Sequence, residues 1–270
     1  CFAKLLGTIK NYKLKPTIMK VILQFIAIFT ISTVASAQEA PTSFRAAKQL
    51  LANLHEEIDY QYTLYCGCPY SRTNASGGQV DREVCGVETR SNESRSKIIE
   101  WEHVVPASWF GQTRACWKLK ELAYPECEDK DGRKCCEKVN EDFKRAYKDP
   151  NNLFPSVGEV NGDRSNHPYG EIPGEQRLYG ACDAEIMKLE GGGKIFEPAH
   201  GKVRGTIARA MLYMAQVYGV NIELPMSTIW SWHAAPTRAR RGARPLGGGS
   251  GLWFRVQVGV GVGPRARFGV

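Results

Sequence analysis

Eight cysteines gathered between positions 66 and 182 constrain this chain more than any other feature. They are Cys66, Cys68, Cys85, Cys116, Cys127, Cys135, Cys136 and Cys182; the ninth, Cys1, stands far from them. An even set of this density suits a domain oxidised outside the reducing cytoplasm, where cross-links supplement the core. All eight are therefore disulfide candidates. Spacing alone leaves about a hundred pairings open. The rival reading is a zinc site built from thiolates. Cys66-Gly67-Cys68 and the adjacent Cys135-Cys136 lack the usual C-x2-C spacing of such sites, so cross-linking is the stronger reading.

The start of the chain also points to export. Its first methionine is Met19. Lys20 gives a positive start, Val21 to Val34 is mostly apolar, and Ala35-Ser36-Ala37 is a small-residue cleavage site. Residues 19–37 read as a signal peptide, with Gln38 as the mature start and a secreted or periplasmic destination. The apolar run is short for a membrane span, and no membrane attachment is expected after cleavage. Residues 1–18 read as untranslated upstream sequence. At the other end, residues 233–270 are dominated by Arg, Gly, Pro and Ala and contain no Asp, Glu or Lys. That tail reads as disordered, or as the product of a reading-frame shift near position 233. The formal net charge is +8, but five Lys in 1–37 and seven Arg in 233–270 face no acid. Residues 38–232 hold the other 24 basic residues and all 28 acidic ones, so they carry −4. Net charge is thus no argument for a polyanionic partner, although a local basic groove remains open.

Periodicity places a few elements between these ends. Ala47, Leu50, Leu51, Leu54 and Ile58 recur at helical spacing over Phe44 to Ile58, with Thr42 or Ser43 as N-cap. Residues 60–95 are turn-rich. Lys97 to Trp101 reads as a strand, Ala107 to Gly111 as the start of a helix, and Glu141 to Tyr147 as a weak helix closed by Asp149-Pro150. Asn152 to Pro155 is a short extended piece, and Val157 to Asn166 is a loop or a helix entry. Val203, Ile207, Met211, Met214 and Val217 share one face of a long helix over His200 to Tyr218, with Gly219 past its end. Lys202, Arg204 and Arg209 on that helix are either a solvated face or a phosphate-contacting one.

Two strings concentrate the reactive residue types. The first is Ile99-Glu100-Trp101-Glu102-His103-Val104-Val105-Pro106. The second is Gly158-Glu159-Val160-Asn161-Gly162-Asp163-Arg164-Ser165-Asn166. A charge beside an imidazole in an apolar run is costly unless it binds or reacts. Hydrolysis of a phosphodiester requires a base for water and neutralisation of the phosphate and the leaving oxygen. His103 is the natural base, since a free imidazole titrates near 6.5. Glu102 and Asn161 offer the hard oxygen ligands that Mg2+ prefers, and two protein donors leave sites open for water and phosphate. Each residue also has a plainer role. His103 then sits hydrogen-bonded in the core and Glu102 is a surface carboxylate. Asn161-Gly162 then forms a turn, with Asp163 capping it and Arg164 pairing with Asp163. Adjacent strand residues face opposite ways, so Glu102 and His103 serve one phosphate only if the backbone leaves strand geometry there.

Together with Asn152-Leu153-Phe154-Pro155, these strings closely resemble the bacterial endonuclease I family. Tyr65-Cys66-Gly67-Cys68 and Arg204-Gly205-Thr206-Ile207-Ala208-Arg209 add to the likeness, which spans roughly residues 43–232. The resemblance implies an α+β single domain, stapled by disulfides and built around a ββα-metal (His-Me finger) motif. It implies a non-specific nuclease that cuts DNA, and often RNA, through the phosphate backbone and leaves 5′-phosphates. His103 matches the family's general base. Glu102 and Asn161 match its holders of Mg2+, with Ca2+ or Mn2+ as substitutes. Arg133 matches an arginine that contacts the phosphate. The whole is read as a monomer. A disulfide-rich binding module and a catalytically inactive nuclease fold are the alternatives.

Overall fold

A computed structural model describes residues 40–174 and 176–234, all within one contact unit, Ala40–Val258. The leader, the start at Gln38 and the tail beyond 234 lie outside the described residues. Helix α1 spans Phe44–Glu57; Ser43 caps it by accepting the Ala46 N–H at 3.1 Å. Its buried face is Ala47, Leu51, Ala52 and His55. A short hairpin follows, β1 (Tyr70–Arg72) with β2 (Gly78–Val80).

The centre is a second hairpin. Strand β3 covers Ile99–His103, two residues later than the sequence suggests, because Lys97 and Ile98 are taken up against β2. Between β3 and its partner lie α2 (Gly132–Val139) and α3 (Glu141–Tyr147), besides shorter helical segments, among them Ala107–Gly111 as the sequence suggests. Strand β4 (Leu153–Val157) then pairs antiparallel with β3, Glu102 opposite Phe154 and His103 opposite Leu153. The chain passes directly into α4, Gly158–Arg164.

The turn expected at Asn161-Gly162 is therefore helix. Two contacts explain it. The buried Glu159 carboxylate gathers the N–H groups of Arg90, Ser91 and Asn92, which pins the first turn of α4. A Cβ on Gly162 would lie 2.0 Å from the Arg95 guanidinium, so glycine there makes room for Arg95 rather than for a turn.

A third hairpin, β5 (Glu185–Lys188) with β6 (Lys194–Glu197), leads to the long helix α5 (Lys202–Tyr218) and to α6 (Met226–His233). Val203, Ile207, Met211 and Met214 of α5 are buried, as expected, but Val217 is exposed. Gly219 closes the helix in the left-handed conformation.

All eight cysteines form disulfides: Cys66–Cys182, Cys68–Cys85, Cys116–Cys136 and Cys127–Cys135. The zinc reading is thereby excluded for them. The two adjacent cysteines of α2 take different partners, because neighbouring residues on a helix project about 100° apart. In chain-entropy terms a loop of 15 residues is worth about 3 kcal/mol and one of 100 nearly 5 kcal/mol, so Cys66–Cys182, closing 116 residues, is the strongest single staple. No described helix is long and apolar enough to cross a membrane.

One buried titratable group makes the fold acid-sensitive. His55 is 3% exposed, with Nδ1 3.2 Å from the Tyr70 hydroxyl, and burial lowers its pKa to about 4. An unfolded chain takes up this proton near pH 6.5, whereas the folded one resists to about 4. Stability from this group is full above 6.5 and is lost as pH falls between those values, by up to about 3 kcal/mol. A His55→Gln variant should lose less stability between pH 7 and 4.5 in urea titrations. Equal losses in both proteins would remove His55 from the account.

Candidate active site

Strand alternation sorts the residues of β3. Trp101 and His103 face α1: the His55 ring lies 5.9 Å from Trp101, and Phe44 lies 5.1 Å from His103. Glu100 and Glu102 face α4, where they meet Asn161 and Arg164. The two periods match, since residues two apart on a strand fall opposite residues three apart on a helix.

His103 is half-buried in a cluster of aromatic rings. Tyr147 stacks on it at 4.8 Å and Phe44 at 5.1 Å; these two rings also lie 4.8 Å from each other, so the three form a triangle, and Phe143 stacks on Tyr147 at 5.5 Å. Packed against both rings, the imidazole works through its nitrogens. Its Nε2 lies 2.7 Å from the Tyr147 carbonyl oxygen. A carbonyl only accepts, so Nε2 carries the proton and Nδ1 keeps its lone pair. Burial lowers the His103 pKa to about 4; the Tyr147 carbonyl opposes this, and the charges of Arg133, Arg164 and Lys48 add to it. The ring is therefore neutral near pH 7.

Glu102 is buried in a polar knot. Its Oε1 accepts from the Tyr65 hydroxyl at 2.6 Å and lies 3.1 Å from Arg164 Nη1. The Tyr169 hydroxyl lies 2.7 Å from that of Tyr65, and the Arg164 guanidinium sits 4.3 Å over the Tyr169 ring. Arg164 also donates to the carbonyls of His103 and Val104, which end β3. Burial pushes the Glu102 carboxyl up to about 7, against the Arg164 charge and the Tyr65 hydrogen bond. Arg164 does not pair with Asp163, as the sequence suggested. Asp163 takes a bidentate contact from Arg90, at 2.7 and 3.0 Å, and the Tyr179 hydroxyl. The reason is helical phase, which turns Arg164 inward and Asp163 toward the flank.

Asn161 binds Glu100: its Nδ2 donates to Glu100 Oε2 at 2.7 Å. Glu102 and Asn161 thus share the β3–α4 face, each with a different immediate neighbour. Among the described residues no cluster of three or more His, Cys, Asp or Glu side chains is arranged to hold a metal ion. A pair of one carboxylate and one amide oxygen is a different kind of site.

Arg133 stands exposed on the first turn of α2, whose N–H of Lys134 is capped by Asp131 at 2.8 Å. Its positive charge acts on the Tyr147 hydroxyl and on His103. Cys135 and Cys136 anchor the same helix to Cys127 and Cys116, so two disulfides fix the platform that carries Arg133.

Among the α5 cations, Arg204 departs from the sequence reading. Arg204 is buried: its guanidinium binds Glu197 at 2.5 Å and Glu171 at 3.0 Å and lies 5.2 Å over the Trp232 ring. Arg209 is half-buried and donates to the His233 carbonyl at 3.5 Å. Both fasten α5 to its surroundings, and burial withdraws Arg204 from a phosphate-contacting face. Lys202 lies at the partly exposed start of α5.

Sequence reasoning missed Phe44, Lys48, Tyr65, Glu100, Tyr147 and Tyr169. Lys48 lies 4.8 Å from the Phe44 ring and so reaches the same flank as His103. The i,i+4 spacing of Phe44 and Lys48 was a usable signal for that pair. Tyr65 lay in a quoted landmark, but nothing in the sequence tied it to Glu102.

A hairpin running straight into a helix, with an imidazole at its mouth and oxygen donors on its inner face, places the domain in the ββα class. A profile described as Endonuclease I matches residues 42–232. A periplasmic deoxyribonuclease of Aeromonas hydrophila is 41% identical over 194 residues, covering 71% of this chain and 73% of that protein. An extracellular deoxyribonuclease of the same species is 39% identical over 193 residues, 71% of this chain and 76% of its own. Endonuclease-1 of Buchnera aphidicola subsp. Acyrthosiphon pisum is 37% identical over 191 residues, covering 70% and 69%. The chain belongs to the endonuclease I family.

Proposed function

We propose that this protein is an exported, divalent-metal-dependent endonuclease that hydrolyses DNA, and RNA as well, without sequence preference. The carrying observation is the 2.7 Å contact of His103 Nε2 with the Tyr147 carbonyl oxygen, which accepts the Nε2–H hydrogen bond and leaves the Nδ1 lone pair as a base. In this reading Nδ1 accepts a proton from water as the water oxygen bonds to phosphorus. The P–O3′ bond breaks, the 5′ phosphate stays on the downstream product, and the leaving oxygen takes its proton from solvent. The Tyr147 carbonyl steadies the imidazolium that results. Arg133 approaches the non-bridging phosphate oxygens from the α2 side, and Lys202 adds a weaker contact further out.

Glu102 and the Asn161 Oδ1 would hold the ion. Their donor set fits a hard cation: Asn161 keeps its nitrogen on Glu100, which leaves only oxygen to offer. Mg2+ is the natural occupant, with Mn2+ or Ca2+ as substitutes. When bound, the ion neutralises charge on the phosphate and the leaving oxygen. Export agrees with four disulfides and with the Aeromonas relatives, a periplasmic and an extracellular deoxyribonuclease. The protein is proposed to act as a monomer.

Cleavage of plasmid DNA and of an RNA transcript should stop in EDTA and return with added Mg2+. Chelator-resistant cleavage would remove the metal from the mechanism. No cleavage of either nucleic acid, with metal present and disulfides intact, would leave a binding module or an inactive nuclease fold.

A further inference from the structure

We propose that Glu100 is a positioning residue for the cation site, and that Arg95, Glu100 and Asn161 form a relay that decides which end of the Asn161 amide faces the ion. The inference rests on the metal-dependent reading above.

An amide carries an acceptor oxygen at one corner and a donor NH2 at the other, and the two have nearly the same shape. Only the oxygen binds a cation. A side chain free to flip presents the wrong corner part of the time, at a cost in affinity. A carboxylate is an acceptor only, so Glu100 Oε2, 2.7 Å from Asn161 Nδ2, fixes the flip by excluding the alternative. It also draws charge through the amide and makes Oδ1 a better donor.

Glu100 lies on the same face of β3 as Glu102 and is itself a hard oxygen group. Arg95 keeps it from acting as a ligand. Its Nε and Nη2 grip Glu100 Oε1 at 2.8 Å and Oε2 at 2.6 Å, so both oxygens are occupied and the charge is balanced. The fork geometry of that contact is the strong one for arginine and carboxylate.

Helix α4 is built to leave room for this relay. A Cβ at Gly158 would lie 2.7 Å from the Arg95 carbonyl oxygen and 3.0 Å from Glu100 Oε1, and one at Gly162 would strike the Arg95 guanidinium. Each helical glycine costs about 1 kcal/mol relative to alanine. Two of them, four residues apart in a seven-residue helix, are expensive unless the space has a use.

The test uses the full oxidised chain and Mn2+ as probe, followed by electron paramagnetic resonance in the absence of nucleic acid. Glu100→Gln should fold normally and raise the Mn2+ Kd by about ten-fold or more. The Mg2+ midpoint for DNA cleavage should rise in parallel, with the rate at saturating Mg2+ largely kept. The decisive arm is the same change in an Asn161→Asp background. A carboxylate has two equivalent oxygens and needs no flip control, so Glu100→Gln should lose its penalty there. A penalty of equal size in both backgrounds, or none in wild type, overturns the proposal. If Asn161→Ala weakens Mn2+ binding while Glu100→Gln does not, the relay fails and the metal site stands. If the unmodified protein binds no Mn2+ and cuts without metal, the metal-dependent reading fails first and takes the relay with it.

Discussion

Replacing His103 with alanine should slow DNA cleavage by about 10²–10⁴-fold, the range a positioned general base contributes. The loss should fall on the rate more than on the metal midpoint, because His103 holds no ligand position in the proposed site. The substitution removes one ring from a cluster of four and with it two stacked pairs, each worth about 0.5–1.5 kcal/mol, so a modest stability loss accompanies it. Circular dichroism at the assay temperature separates the two effects. The cavity left beside Phe44 and Tyr147 also suits free imidazole, and added imidazole should restore part of the rate. A folded His103→Ala protein that cuts plasmid near the normal rate would end the assignment of His103 as the base.

The largest stability effect is expected at Arg164. Its side chain is 0% exposed and faces Glu102, 5% exposed, at 3.1 Å. Removing one partner of such a pair leaves a desolvated charge and costs about 3–5 kcal/mol. Arg164→Ala also leaves the His103 and Val104 carbonyls without their donor. Urea unfolding of the oxidised protein should show the midpoint falling accordingly. Adding Glu102→Gln to Arg164→Ala should recover part of the loss, since a neutral amide is cheaper to bury alone. Stability unchanged in Arg164→Ala would mean that the Tyr65 and Tyr169 hydroxyls suffice to hold the Glu102 carboxyl.

The site was legible in the sequence where reactive residues fall in contiguous strings. Glu102, His103 and Asn161 were singled out there, and the structure sets them on one hairpin and the helix after it. Local punctuation also worked: Ser43 caps α1 and Gly219 closes α5. Partners distant in sequence were not legible. Glu102 meets Tyr65 and Arg164, 37 and 62 residues away, and no local pattern specifies either contact. Asn161-Gly162 has the chemistry of a turn, and only the bulk of Arg95 over Gly162 explains why it stays helical. Arg204 misled because a cation defaults to solvent. Its spacing to Ile207, Ala208 and Met211 put it on the buried arc of α5, and buried Glu197 and the Trp232 ring were its hidden partners.

The Cys66–Cys182 link has a consequence for survival among proteases. Both strands of the central hairpin, α4 and all three other disulfides lie within or at the foot of that covalent ring. A single cut anywhere between residues 67 and 181 opens a loop but releases nothing. The halves stay tethered and can reclose around the same core. Nicked molecules would run as one chain on a gel without reductant and as two with it. The reactive strings are thus carried inside a closed hoop that one cleavage cannot dismantle.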